Sequence, residues 1–324
     1  MIESSLANRS SELPVLVIGA AGMDMVGRLK TLASSAQFLA GKSNPANIRV
    51  SFGGVARNVA ENLSRLGQPV CLLTAVGKDQ SGKEMLAYTA ACGVDVSACL
   101  RSENFSTSSY LAVYDSEGLR YLALEDMAVL EEITPAYLRL NKHLIAQSTM
   151  VFVDSNLSPK ALKSVISLAR QAGVPVCADT TSALLAQRLI PHLGGLAMIS
   201  ANNAEASVLC QNDPVVTNQE TAIQAARKLI NNGVELVVIA LAEFGVVYAT
   251  SETSGHIPAV RTRILDPTGA GDALIATVIF GLLNQIPIDE SVRLGITAAS
   301  LILRHPGTVL PNLTLEKLYD GLLV

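Results

Sequence analysis

Apolar residues fall along this chain in short unbroken runs rather than in long alternating or heptad patterns. "LPVLVIGA" (13–20), "VCLLTAV" (70–76), "TMVFVD" (149–154), the run over 174–178, "LAMIS" (196–200) and "ELVVIAL" (235–241) each read as a strand buried on both faces. The segments 79–92, 158–172 and 217–232 between them are long enough for crossover helices. This alternation predicts an α/β fold, a mostly parallel central sheet with helices on both faces. The last part of the chain predicts two consecutive helices, over 268–285 and 287–304.

The pattern changes over 104–126, "NFSTSSYLAVYDSEGLRYLALED", where two β-prone runs flank a short "DSEG" turn. That is a hairpin signal rather than a βαβ unit. With "NIRVSF" (47–52) it predicts a small β-sheet beside the main body. No linker isolates it, so one domain is expected over 1–324, with lid strands at about 21–28, 46–53 and 105–126. A lid of this kind covers a site or joins two copies of the chain as a homodimer. The polar stretch 1–12 reads as a frayed tail.

Composition narrows the function classes. The chain has 324 residues, 49% of them hydrophobic, and a mean hydropathy of +0.37. No apolar run reaches the roughly 20 residues of a membrane span, so a buried parallel sheet accounts for the apolar content and no membrane partner is expected. A net charge of −4 without a basic block argues against nucleic acid. Cys71, Cys92, Cys99, Cys177 and Cys210 show neither a CxxC pair nor zinc-ligand spacing with the four histidines. They read as ordinary thiols, Cys71 and Cys177 as buried small hydrophobes. Scattered thiols and the lack of a leader pattern predict a cytoplasmic protein.

Chemistry concentrates in two places. Thr268-Gly269-Ala270-Gly271-Asp272 opens the very apolar run "ALIATVIFGLL". First-turn amides of a helix lack acceptors and carry partial positive charge, and Gly269 and Gly271 let the backbone curl around one anion. An acid beside such a cradle suits phosphoryl transfer, with Asp272 accepting a proton from an attacking hydroxyl. The bland alternative is a glycine turn with Asp272 as a helix cap. No GxxxxGK[ST] loop occurs. Leu274 stands where a dinucleotide fingerprint needs Gly or Ala, and "GAAGMDMVG" fails the same spacing. A nicotinamide-dependent dehydrogenase is therefore disfavoured.

The second place is "FGGVARNVAENLSRLG" (52–67). Val55, Ala56, Val59, Ala60, Leu63 and Leu66 form one apolar helical arc, and Gly67 is a natural stop. Gly53 and Gly54 allow close backbone approach to a ligand. Asn58 flanks the arc one turn in, and Asn62 reads as a satisfied, semi-buried amide.

In this order and separation the two stretches resemble the ribokinase-like (PfkB) family of carbohydrate and nucleoside kinases, over essentially residues 13–320. The resemblance implies a three-layer αβα sandwich with a β-lid, and ATP with Mg²⁺. It implies Asp272 as catalytic base and Gly269, Ala270 and Gly271 as the anion hole. It implies Asp24, Gly53, Gly54 and Asn58 for the sugar. Asn202 and Glu205 match an NxxE motif that organises Mg²⁺ through water. Gly245 and Thr268 fall on the nucleotide side, and a K⁺ ion contacting Asp266 or Thr268 is implied. Two departures stand out: Ala242 replaces the first glycine of the LGxxG turn, which strains the chain if that position needs positive φ, and Pro267 lies inside the second signature.

Ribokinases carry lysine where this chain has Val55. "GGVARNVAEN", "TSSYLAVYDSEG" and "LEDMAVLEEIT" are more similar to bacterial pseudouridine kinases, which implies transfer of the γ-phosphate of ATP to the 5′-hydroxyl of that nucleoside. Asp126 then either binds the nucleoside from the lid or is an exposed acid at a hairpin end. Kinases for ribose, a fructose derivative or another nucleoside stay open, as does a catalytically weak nucleoside or ATP sensor.

Overall fold

The computed structural model describes residues 13–30, 43–262 and 264–322, so the expected tail over 1–12 lies outside it. In chain order its strands are β1 (Val15–Ile18), β2 (Gly22–Leu29), β3 (Ala46–Gly53), β4 (Val70–Leu73), β5 (Ala75–Gly77), β6 (Leu100–Ser102) and β7 (Ser108–Tyr114). Then follow β8 (Arg120–Asp126), β9 (Met150–Asp154), β10 (Val176–Asp179), β11 (Met198–Asn202), β12 (Leu236–Ala240), β13 (Val246–Thr250) and β14 (Ser254–Ile257).

The main sheet runs β14-β13-β12-β11-β10-β9-β1-β4. Its strands from β4 to β12 are parallel, while β13 and β14 are antiparallel at one edge. Strand alternation sorts the core into two layers. Val15 and Val17 of β1 join the cluster built on the Ala270–Leu283 helix, whereas Leu16 and Ile18 join the one built on Pro159–Gln171. Both faces are dry, which explains why the strands read as continuous apolar runs.

Local chemistry accounts for the helices. Asp79 caps Gln80–Ala91 by accepting the Gly82 N–H at 2.8 Å, Ser158 caps Pro159–Gln171, with proline at the first turn, and Asn218 and Thr221 form a capping box on Gln219–Asn231. The final pair is Ala270–Leu283 and Ile288–Leu303. None of the described helices is long and apolar enough to cross a membrane.

Two features depart from the sequence reading. The 70–76 run breaks at Thr74, whose hydroxyl donates to the Gly19 carbonyl at 2.6 Å, and β5 leaves to pair with β6. The antiparallel β13 and β14 were not expected. Gly245, at φ 97°, reverses the chain after β12 and returns "VVYAT" along the same edge.

The lid is a second sheet, β3-β2-β7-β8, with β2 parallel to β7 and antiparallel to β3. It grows directly from the site end of the main sheet. Residues 19–21 carry β1 into β2, and β3 returns into the Val55–Arg65 helix. All five cysteines are free thiols, with Cys71, Cys177 and Cys210 buried.

Candidate active site

The carboxyl ends of β1, β9, β10 and β11 deliver Gly19–Ala21, Asp154, Asp179 and Asn202 to one edge of the sheet, where ligands bind in open α/β folds. The amino end of the Ala270–Leu283 helix comes to the same edge. Its N-cap, Gly269, has left-handed φ 84° and no side-chain cap. A methyl group there would collide with the Thr308 carbonyl oxygen. Gly271 is the opposite case, with nothing within 4 Å of an added Cβ. The Ala270 N–H turns back to the Pro267 carbonyl at 3.4 Å, while those of Gly271 and Asp272 find no acceptor among the described residues. The helix therefore presents bare amides to open space, the requirement for an anion cradle.

Asp272 stands at its rim, half-buried. Asn58 Nδ2 donates to its Oδ2 at 2.7 Å, tying the two sequence signatures together. Burial and the Asp154 charge push the Asp272 carboxyl up to about 6, against the Asn58 hydrogen bond and the Arg57 charge that pull it down. A base titrating there is ionised at neutral pH yet basic enough to accept a proton.

Asp24, on β2, is 8% exposed and sits over Gly53, where a Cβ would overlap its carboxylate. Gly54 has φ 92°, and a methyl on it would lie 2.5 Å from the Ala20 carbonyl oxygen. Both glycines of the pair are thus required by close approach. Burial raises the Asp24 carboxyl to about 7; Arg57 and Arg49 oppose the shift and Asp272 adds to it. Side chains in register with Asp24 across the lid are Ser51, Tyr110 and Glu125, with Arg49 two residues from Ser51 on the same face. Asp126 is one residue out of step. It lies in the row of Ser109, Met23 and Phe52 on the other face of the lid, exposed, accepting the Ala128 N–H at 3.1 Å. The period of two separates it from the Asp24 group.

The NxxE motif closes as a capping box. Asn202 Oδ1 accepts the Glu205 N–H at 3.0 Å, while Glu205 accepts from Asn202 N at 2.8 Å, Asn202 Nδ2 at 2.7 Å and Thr180 Oγ1 at 2.6 Å. Asp179 is raised well above the ordinary carboxylate range, chiefly by burial, then by the charges of Glu205 and Asp272. This surplus of facing carboxylates suits a hard divalent cation. No group of three among the described residues is close enough to cage one, so the donor set fits Mg²⁺ carried mainly by phosphate and water. Gly245 caps the β12–β13 turn at a point where an added Cβ would collide with the Ile257 carbonyl oxygen and the Ala259 nitrogen. Ala242 lies at φ 49°, so the left-handed conformation falls on alanine, a strain of roughly 1–2 kcal/mol.

Asp266 leads into the Gly269 turn that opens the Ala270–Leu283 helix. Its Oδ1 accepts the Thr268 N–H at 3.0 Å, and its Oδ2 is ion-paired with Arg49. A guanidinium thus occupies Oδ2 of the carboxylate that the resemblance assigns to K⁺, and that oxygen does not fit a monovalent ion.

Asp154, Asp179, Arg49 and Arg57 are site neighbours that were missed from sequence. Asp154 is fully buried; its Oδ2 accepts the N–H groups of Ala20 (2.7 Å) and Ala56 (3.1 Å), capping the Val55–Arg65 helix that Gly54 leaves uncapped. The acid ending the apolar run 149–154 was its signal. Arg49 was legible as two residues from Ser51 on a lid strand. Arg57 carried no signal, because an arginine beside an apolar arc ordinarily reaches solvent. Asn62 is fully buried; its amide donates to the Asn58 carbonyl at 2.9 Å, but its Oδ1 is unpartnered, so the expected satisfaction is only half met.

Residues 14–315 match the model for pfkB family carbohydrate kinases. The chain belongs to that family. Family members are phosphotransferases with an alcohol acceptor that use ATP and Mg²⁺, and so this chain is an enzyme of that class. It is 32% identical over 302 residues to pseudouridine kinase of Escherichia coli strain K12, covering 93% of this chain and 94% of the relative. It is 28% identical to guanosine-inosine kinase of Exiguobacterium acetylicum, covering 89% and 94%. In fold it is similar to Arabidopsis thaliana ribokinase complexed with ribose and ATP: TM-score 0.82, 21% identity, 96% and 98% of the two chains.

Proposed function

We propose that this chain is an ATP-dependent kinase that transfers the γ-phosphate to the 5′-hydroxyl of pseudouridine, giving pseudouridine 5′-phosphate and ADP. The observation that carries the chemistry is the Asn58–Asp272 hydrogen bond at the mouth of an uncapped, glycine-opened helix. The nucleoside assignment is supported by the 32% identity to the bacterial pseudouridine kinase over nearly the whole of both chains.

In this reading Asp24 and Asn58, with the Gly53-Gly54 backbone, hold the ribose so that its 5′-oxygen faces Asp272. Asp272 accepts the hydroxyl proton as the oxygen attacks the γ-phosphorus and the bond to the bridging oxygen of ADP breaks. The free amides of Gly271 and Asp272 stabilise charge on the transferred group, and positioning provides much of the acceleration. Asp179 and Glu205 would hold Mg²⁺ through water and phosphate, and the ion would supply positive charge to the nucleotide's phosphates. The lid face bearing Asp24 covers the acceptor and excludes water. The partner is a second copy of the chain, docked through the lid, where Ile48, Val50, Leu119, Tyr121, Leu122 and Leu124 are exposed.

A purine nucleoside acceptor is the second reading, favoured by the guanosine-inosine kinase relative. ADP release with Mg-ATP and pseudouridine, uridine, guanosine, inosine, ribose or fructose 6-phosphate, offered singly, separates the two. Turnover on pseudouridine alone is expected. Turnover confined to another acceptor overturns the nucleoside assignment, and tight binding without ADP release overturns the kinase itself.

A further inference from the structure

Arg57 is among the most deeply buried large side chains of the protein, 1% exposed, although it touches none of the proposed reactants. Burying a guanidinium is costly where its donors are unmatched; Arg57 leaves its Nε without a partner but matches both terminal nitrogens. Here Nη1 donates to Glu61 Oε2 at 2.6 Å, and Nη2 donates to Asn58 Oδ1 and, at 3.2 Å, to Thr308 Oγ1. Thr308 is itself fixed, donating to the Phe52 carbonyl at 2.8 Å. Glu61 is held from its other side by Arg65 Nε at 2.8 Å.

The chain of contacts has a consequence for Asp272. A guanidinium is donor-only, so the Asn58 atom facing it has to be the carbonyl oxygen. The amide nitrogen is then left to point at Asp272 Oδ2, at 2.7 Å. An asparagine free to turn over would set its oxygen against the carboxylate, which repels it. The geometry points to Arg57 as a positioning residue: its fork on Glu61, Thr308 and Asn58 locks the Asn58 amide in the one orientation that holds Asp272 toward the acceptor hydroxyl. The inference rests on Asp272 being the base of the kinase reaction.

Charge acts in the same direction. The charged groups facing Asp272 are Asp24, Asp154 and Asp179, which disfavour its ionisation, and Arg57, which favours it. Arg57 also adjoins a cavity of about 310 Å³ lined by Glu61, Tyr88, His305 and Thr308, large enough to admit a small cation.

The test compares Arg57→Ala, Arg57→Lys and the double variant Arg57→Met/Glu61→Gln with the unaltered protein, reading kcat, KM, the pH profile and rescue by guanidinium chloride below denaturing concentration. Arg57→Ala is expected to lose about 100-fold in kcat, the cost of a small misplacement, with KM for ATP little changed. Its acid limb moves to higher pH, and added guanidinium restores kcat. Arg57→Lys recovers little, because an ammonium cannot span the fork. The double variant removes both buried charges together and shows the same kcat loss, so it decides the matter if Arg57→Ala does not fold. Unchanged kcat and pH profile in a folded variant overturns this inference alone. Absence of turnover by the unaltered protein with every acceptor overturns the kinase reading and this inference with it.

Discussion

Arg49 on the lid strand β3 and Asp266 in the segment leading to the Ala270–Leu283 helix form an ion pair that joins the lid to the candidate site. Asp266 is 4% exposed, so the guanidinium supplies the positive charge its carboxylate requires. We expect turnover to be nearly the same in K⁺, Na⁺ and choline chloride at equal ionic strength. Arg49→Ala should make activity depend on the cation. Strong activation of the unaltered protein by K⁺ would contradict the assignment of that charge to Arg49.

Asp272→Asn removes the proton acceptor but keeps the shape and the Asn58 contact. Turnover should fall by about 10²–10⁴-fold while ATP affinity, read by calorimetry, stays close to that of the unaltered protein. In the unaltered protein kcat/KM should decline as pH drops through about 6, where Asp272 takes up a proton. Asp24 and Asp272 raise one another, so the limb belongs to the pair and is broadened toward 7. A flat profile between pH 5 and 8 would exclude Asp272 as the base.

The two glycines 271 and 53 should separate function from packing. Gly271→Ala meets nothing and improves helix propensity by about 1 kcal/mol, so the variant should be at least as stable, yet slow, because the new methyl stands where the phosphoryl group must approach. Gly53→Ala displaces Asp24 and should raise KM for the acceptor and lower stability by about 1–3 kcal/mol. Thermal melts and steady-state kinetics on both variants check this. A fully active Gly271→Ala protein would remove Gly271 from the anion hole.

Asp24 titrates at about 7 in the folded protein and at 3.8 ordinarily, so the folded state binds its proton more tightly. The stability this contributes is complete below pH 3.8 and is lost as pH rises toward 7. Asp24→Asn avoids burying the charge and should stabilise the protein at pH 8 by on the order of a few kcal/mol, at the expense of acceptor binding. Urea denaturation at pH 5 and pH 8 should show a larger gain at the higher pH.

Strand β8 is exposed at every position and carries Tyr121, Leu122 and Leu124, the last 58% exposed. An edge strand this apolar calls for a cover. Light scattering should give a dimer for the unaltered protein and a monomer for Leu124→Arg. A monomer at micromolar concentration without any substitution would remove the lid as the interface.

The runs around β1, β9, β10, β11 and β12 were legible because a strand buried on both faces leaves no polar residue to interrupt it. The glycines of both signatures were legible for a related reason: where backbone approaches backbone or a ligand, no side chain fits, and the requirement is written at the position itself. Asp272, Asn58 and Asp24 could be chosen on local grounds and on resemblance.

What the linear pattern could not contain is which groups meet. The lid register sends Asp126 to one face and Tyr110, Glu125 and Arg49 to the other, and a shift of one residue would reverse that. The links from Asp154 to Ala20 and Ala56, from Arg49 to Asp266, and from Arg57 through Asn58 to Asp272 join residues on separate elements or depend on a rotamer set by them. Burial energies and backbone conformation act residue by residue and are inherited from sequence. Hydrogen-bond pairing and pKa shifts depend on distances of a few ångströms across the fold, and only the tertiary structure decided those.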